Sequence, residues 1–245
     1  MTTLRSGTQF SFDLLAGALT AREASRATGT LHITGDPGGR IHLRNGWVVS
    51  VESSGAPGPE TLLLRSGRIS ESAQPRDNVG TTSLHVIAMM ATHDATFSAV
   101  AGVIEDCALT GDLFDVVVPM NSGIEPVRLL QETSRRLTSL YTLPYPLSPH
   151  RENIAPTLEA ELHEHSQVRA EILTHATGRH CARDIAFICG RSVYTVTIEI
   201  CRMIGEGLLT VTSNPPEEVD DEPLPRSLRR QLLPKLFKPP EKNPK

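Results

Sequence analysis

The stretch ARDIAFICGRSVYTVTIEICRMIGEGLL (182–209) carries the residues best suited to meeting a ligand. The chemistry they suit is recognition of a polyanion. An arginine at the start of a helix, Arg191, can reach a guanine edge or a phosphate, and Ser192, Tyr194 and Thr195 suit phosphates or bases. Arg202 extends that face, while Arg179 and Arg183 are positioned to lay the preceding helix along a nucleic-acid backbone.

Catalytic and metal chemistry find less support. The pair of histidines in HEH (163–165) falls on the polar face of a helical segment, and no nucleophile–base or paired-carboxylate arrangement emerges. His150, His163, His165, His175 and His180 read as surface or helix-face residues. His175, His180, Cys181 and Cys189 do not match a common zinc-ligand spacing. GDPGGR (35–40) has the glycines of a phosphate loop without its Gly-Lys-Ser/Thr ending, and it joins two strands, so it reads as a turn. The expectation is a non-enzyme with no catalytic residue, no cofactor and no metal.

The elements that position these residues follow from periodicity. VYTVTIEICRMIG places Val193, Val196, Ile200 and Ile204 on one helical stripe, which assigns Arg191, Ser192, Tyr194, Thr195, Ile198, Glu199 and Arg202 to the outward face. CARDIAFIC sets Ala182, Ile185, Ala186 and Cys189 together, Gly190 supplies the turn, and GLLTV reads as a short closing strand. Helical character is expected upstream from about residue 157, through TLEAELHEHSQVRAEILTHA. The order helix, helix, turn, helix, strand is that of a winged helix-turn-helix. Over about residues 160–213 it resembles MarR-like winged-helix regulators. The residues that match are mainly the buried ones, and from the outward face Arg179, Arg183, Arg191, Ser192, Tyr194, Thr195 and Arg202 are expected to contact double-stranded DNA.

Two features oppose that expectation. Between residues 168 and 213 five arginines face Glu171, Asp184, Glu199 and Glu206, a weak field for a polyanion whose phosphates dominate affinity. After LLTVTS comes NPPEEVDDE, acidic and broken by proline, where a returning basic strand is expected.

Nearer the N-terminus, Phe12, Leu15, Leu19 and Ala24 follow helical spacing. GTLHITG, GRIHLRNG and WVVSVES then read as three antiparallel strands of a meander. Asn45-Gly46 is a strong hairpin signal, because a type I′ turn needs two residues with positive φ. PETLLLRSG and SLHVIAMMATHDATFSAV are helical in pattern, the second with Leu84, Ile87, Ala88 and Ala91 on one face, and ATFSAV (95–100) suits a further strand. Through GTLHI, GRIHLRNGWVVSVES and the helical stretch up to ATFSAV, residues 10–105 resemble the bacterial PATAN-type domain. That resemblance implies a protein-interaction module without catalytic residues. The segment SGAPGPETLLLRSGRISESAQPRD departs from it by being polar and loose.

Between the two, IEPVRLLQETSRRLTSLY (124–141) carries Val127, Leu130, Ser134, Leu137 and Tyr141 at three-four spacing, a narrow apolar seam. It suits packing on one of the chain's own domains or a dimer contact. LPYPLSPH then makes a stiff, proline-rich linker.

The net charge of −4 hides a basic end. Residues 224–245 carry Arg226, Arg229, Arg230, Lys235, Lys238, Lys242 and Lys245 against Glu241 alone, with Leu228, Leu232, Leu236 and Phe237 interspersed. An arm along phosphates, a short amphipathic segment on an anionic membrane, and a solvated terminus are all compatible with it. The apolar runs fall far short of the roughly 20 residues a bilayer crossing needs, and MTTLRSGTQFSFDLL lacks the features of a secretory signal. The chain therefore reads as cytoplasmic, with free thiols at Cys107, Cys181, Cys189 and Cys201.

The expected fold class is α+β: an antiparallel meander with helices over 1–120, a linker helix and proline-rich joint over 121–156, a winged helix-turn-helix over 157–213, and an acidic then basic tail over 214–245. The expected function is a DNA-binding transcriptional regulator of actinobacterial type. Its N-terminal domain would receive a signal from a protein partner, and the whole would act as a homodimer. The alternative is a signalling adaptor in which both domains bind proteins.

Overall fold

A computed structural model describes residues 2–65, 81–112, 120, 122–162 and 164–212. The tail over 214–245, with its acidic and basic runs, and His163 lie outside the described residues. So does the second half of the polar segment after the third strand, from residue 66 onward. Among the described residues, no helix is long and apolar enough to cross a membrane.

The fold is α+β. Helix α1 (Thr2–Thr20) leads into strands β1 (Gly29–Asp36), β2 (Gly39–Arg44) and β3 (Trp47–Glu52), and a fourth strand, β4 (Val103–Thr110), completes a sheet of order β3-β2-β1-β4. All neighbours in it are antiparallel. The Asn45-Gly46 turn has both residues at positive φ, 51° and 80°, as a tight hairpin between right-twisted strands requires. Leu31, Ile33, Ile41, Leu43 and Val51 are buried with Leu15 and Leu19 of α1.

Helices α2 (Pro59–Arg65) and α3 (Thr81–Ala101) follow β3. ATFSAV, expected as a strand, is instead the last part of α3, and the fourth strand begins beyond it at Val103. The physical reason is burial on several sides. The end of α3 lies among β3, β4, α1 and the later helices, so Ala95, Thr96, Phe97, Ser98, Ala99 and Val100 are all buried and the one-sided helical period disappears. The polar members are satisfied locally: Thr96 donates to the Thr92 carbonyl at 2.8 Å and Ser98 to the Gly55 carbonyl at 2.7 Å.

Helix α4 (Pro126–Tyr141) buries Leu129, Leu130, Thr133, Leu137 and Leu140 against α1 and α3. The expected seam is therefore rotated. Leu130 and Leu137 lie in it, but Val127 and Ser134 are exposed, and Tyr141 sits at the margin with its hydroxyl donating to Thr8 Oγ1 at 2.6 Å. Leu129 and Leu140 define a wider stripe than three-four spacing through Val127 allows, because α4 packs on two helices rather than one.

Strand β5 (Asn153–Pro156) comes from the segment read as a joint, and it pairs antiparallel with the last described strand, β6 (Leu209–Thr212). Three helices lie between them: α5 (Gln167–His175), α6 (Ala182–Cys189) and α7 (Val193–Gly205). The helix expected from residue 157 is shorter than its pattern. Leu158–Leu162 forms a 3₁₀ turn, and α5 starts only after Ser166. A bridge from Asn153 to Cys181 ties β5 to the start of α6 as well. The partner expected for the closing strand thus precedes the helices in sequence. Buried side chains form a continuous core from Leu15 and Leu31 through Phe97 and Leu129 to Ile185, Val196 and Ile200.

Candidate functional site

The start of α7 is where the expected contact residues gather. Helix α6 ends at Gly190 in the left-handed conformation (φ 61°), which only glycine adopts without penalty, and Ser192 opens α7 by accepting from the Thr195 amide at 3.3 Å. The first amides of a helix have no intrahelical partner and concentrate positive charge. Such an end attracts an anion.

Here the anion is a carboxylate of the same chain. Asp94, on α3 and 1% exposed, accepts from the Val193 amide at 2.6 Å, the Tyr194 amide at 3.0 Å and the Ser192 hydroxyl at 2.7 Å. Arg136 of α4 reaches the same carboxylate at 3.5 Å. Burial pushes the Asp94 carboxyl above its ordinary value, opposed by the Tyr194 amide, the Ser192 hydroxyl, the Val193 amide and the Arg136 guanidinium.

One turn beyond Asp94, Phe97 meets the Tyr194 ring edge to face, with centroids 5.2 Å apart and planes at 77°. The Arg136 guanidinium lies over the same ring, 4.9 Å from its centroid, and its Nε donates to Glu132 Oε1 at 2.9 Å. The turn before α7 is covered too: a Cβ added at Gly190 would overlap the side chain of Arg65 at the end of α2.

The chain matches no family model, no curated protein and no solved structure.

The seven residues expected to face DNA divide into three groups. Ser192 and Tyr194 are turned inward onto Asp94, Phe97 and Arg136, and Ile198, expected outward, is buried. The outward-face expectation fails at these positions because α7 is packed on α3 as well as on α5 and α6, so its buried surface exceeds one stripe. Thr195, Arg179 and Arg202 are exposed. Arg191 is half-buried and bound to Glu171 at 2.6 Å, and Arg183 is held by Asp184 at 2.9 Å. Arg202 reaches Glu199 at 3.4 Å. Arg169, outside the expected set, bridges Glu199 and Glu206, each at 2.6 Å. The Arg191 guanidinium holds the Glu171 carboxyl below its usual value, and Arg169 does the same for Glu206.

His175, His180, Cys181 and Cys189 do not come together as ligands. His180 bonds the His175 carbonyl at 2.9 Å, and Cys181 caps α6 with Asp184. Among the described residues no group of three His, Cys, Asp or Glu is placed to hold a metal ion. All four cysteines are free thiols.

Sequence reasoning missed Asp94, Phe97 and Arg136. The available signal was a lone acid inside an apolar helical run, ATHDATFSAV, where a buried carboxylate must find donors. Nothing in the local pattern shows that those donors lie about a hundred residues further on.

Proposed function

We propose that the chain is a DNA-binding transcriptional regulator, with α5–α7 and the β5–β6 pair acting as a winged helix-turn-helix and the N-terminal sheet unit receiving a protein signal. The observation that carries this reading is the joint between α6 and α7. A left-handed glycine and a capping serine set a second helix off from the first, and Thr195 and Arg202 of that helix remain exposed. Arg179, exposed before α6, is suited to a flanking phosphate. In this reading Arg191, Ser192 and Tyr194 contribute once their partners within the chain release them.

The test is selection of fragments from the source genome by the full-length protein, across a salt series. Enrichment of defined fragments is expected. Replacing Arg202 by Ala should weaken all of them alike and reduce the salt slope by about 1, as loss of one phosphate contact does. Thr195→Ala should change which fragments are enriched. No saturable binding at low salt, by the wild type or by a variant with Asp94 replaced, would sink the reading.

A second reading, a signalling adaptor that binds only proteins, is favoured by the ion pairs of Arg169, Arg183, Arg191 and Arg202 with carboxylates of the same chain. Those pairs leave little free positive charge for a polyanion. Under it, Arg202→Ala leaves nucleic-acid retention unchanged.

A further inference from the structure

We infer that Asp94 is an autoinhibitory clamp: it occupies the start of α7 in place of a nucleic-acid phosphate, and DNA is bound only when α7 leaves it. This inference rests on the DNA-binding reading above and assigns that site its regulation.

Three observations converge on it. The groups that a helix end offers to a phosphate, the Val193 and Tyr194 amides and the Ser192 hydroxyl, all donate to one carboxylate. The ring of Tyr194, which would stand in the groove beside them, is held between Phe97 and the Arg136 guanidinium. The turn that must approach the duplex with α7 lies against Arg65 of α2. A helix-turn-helix reads bases with the first residues of its second helix, and of these Ser192, Val193 and Tyr194 are engaged by α3 while Thr195 stays exposed.

The contact is also built to be exchanged. A carboxylate and a phosphate oxygen make the same kind of charge-assisted bond to an amide, so releasing Asp94 to solvent and seating a phosphate replaces like with like. The desolvation that raises the Asp94 carboxyl works against the donors that hold it. By linkage, the clamp weakens DNA binding by the same factor by which DNA weakens the clamp.

The experiment uses the full-length protein and its Asp94→Ala, Asp94→Asn and Arg136→Gln variants. Each is titrated with labelled duplex fragments of the source genome, selected separately with wild type and with Asp94→Ala. Hydrogen exchange at the Val193 and Tyr194 amides is followed in the same samples, since both donate directly to Asp94. Faster exchange at these amides together with at least about tenfold tighter binding in the opened variants is the expected result. The two milder variants carry the test if Asp94→Ala does not fold.

Opened amides with DNA affinity equal to that of a DNA-binding wild type would overturn the clamp and leave the regulator reading standing. Amides that stay protected in every variant would overturn it as well, by showing that Asp94 does not hold the helix. No saturable duplex binding by wild type or by any opened variant would bring down both.

Discussion

Asp94 and Val193 are joined by a 2.6 Å bond from a backbone amide to a buried carboxylate, across 99 residues of chain. The same carboxylate takes the Tyr194 amide and the Ser192 hydroxyl, so one side chain of α3 satisfies most of what the start of α7 exposes. Two stretches that read as separate domains are thereby fastened at the point where one of them would act.

Removing that carboxylate leaves two amides and a hydroxyl without partners in a buried place. Asp94→Ala should lower the free energy of unfolding by about 1–3 kcal/mol, the usual penalty for orphaning buried donors, and Asp94→Asn by less because its carbonyl still accepts. Chemical denaturation of both variants beside wild type measures this, and an Asp94→Ala protein as stable as wild type would refute it.

Gly190→Ala is strained twice. The left-handed backbone at φ 61° costs a side chain about 1 kcal/mol, and the new Cβ meets Arg65. The overlap should disappear only when Arg65 loses its own Cβ, since that atom lies nearest the new one. A double-mutant cycle with Arg65→Gly should therefore show a smaller penalty for Gly190→Ala than the wild-type background does. Equal penalties in both backgrounds would mean that the turn does not rest on α2.

Glu132 sits between Arg135 and Arg136, and these guanidiniums hold its carboxyl down at about 2, with the Arg135 bond the largest contribution. A carboxyl with a depressed folded pKa stabilises the fold above its unfolded value and loses that contribution as pH falls. The loss should run from about pH 4.5 down to about 2. Thermal unfolding of wild type and Glu132→Gln over this range checks it: the variant should show the shallower acid slope.

His150 behaves in the opposite chemical sense with a similar outcome. Burial lowers its pKa, against the Ser98 carbonyl that its ring meets at 2.9 Å. The unfolded chain then takes up the proton first as pH falls below the ordinary histidine value of 6.5, and the neutral ring's contribution is lost. Stability should decline from about pH 6.5 downward, and His150→Asn should flatten that part of the profile. Parallel curves for the two proteins would remove His150 as the cause. His42 and His93, also lowered chiefly by burial, add to the wild-type slope but not to the difference.

Much of the local structure was legible in the amino-acid sequence, and the reasons are short-range. Asn45-Gly46 demanded a turn with positive φ, short β-branched and aromatic stretches bounded by glycine marked the three strands of the meander, and Gly190 marked the break between α6 and α7. Val193, Val196 and Ile200 lie buried on the stripe that their spacing defines. Each of these depends on backbone sterics or on a single period, and neither needs knowledge of the rest of the chain.

Tertiary structure decided the rest. ATFSAV became helix because neighbours surround it, Val127 fell outside its seam because α4 packs on two helices, and β6 found its partner in a strand that precedes α5. Above all, periodicity assigned Ser192, Tyr194 and Ile198 to solvent, and the fold turned them inward. A hydrophobic period identifies the first surface that a helix buries. A second surface joined by a carboxylate, a tyrosine ring and a guanidinium follows no period, since its partners come from α3 and α4 and only the folded chain brings them within bonding distance.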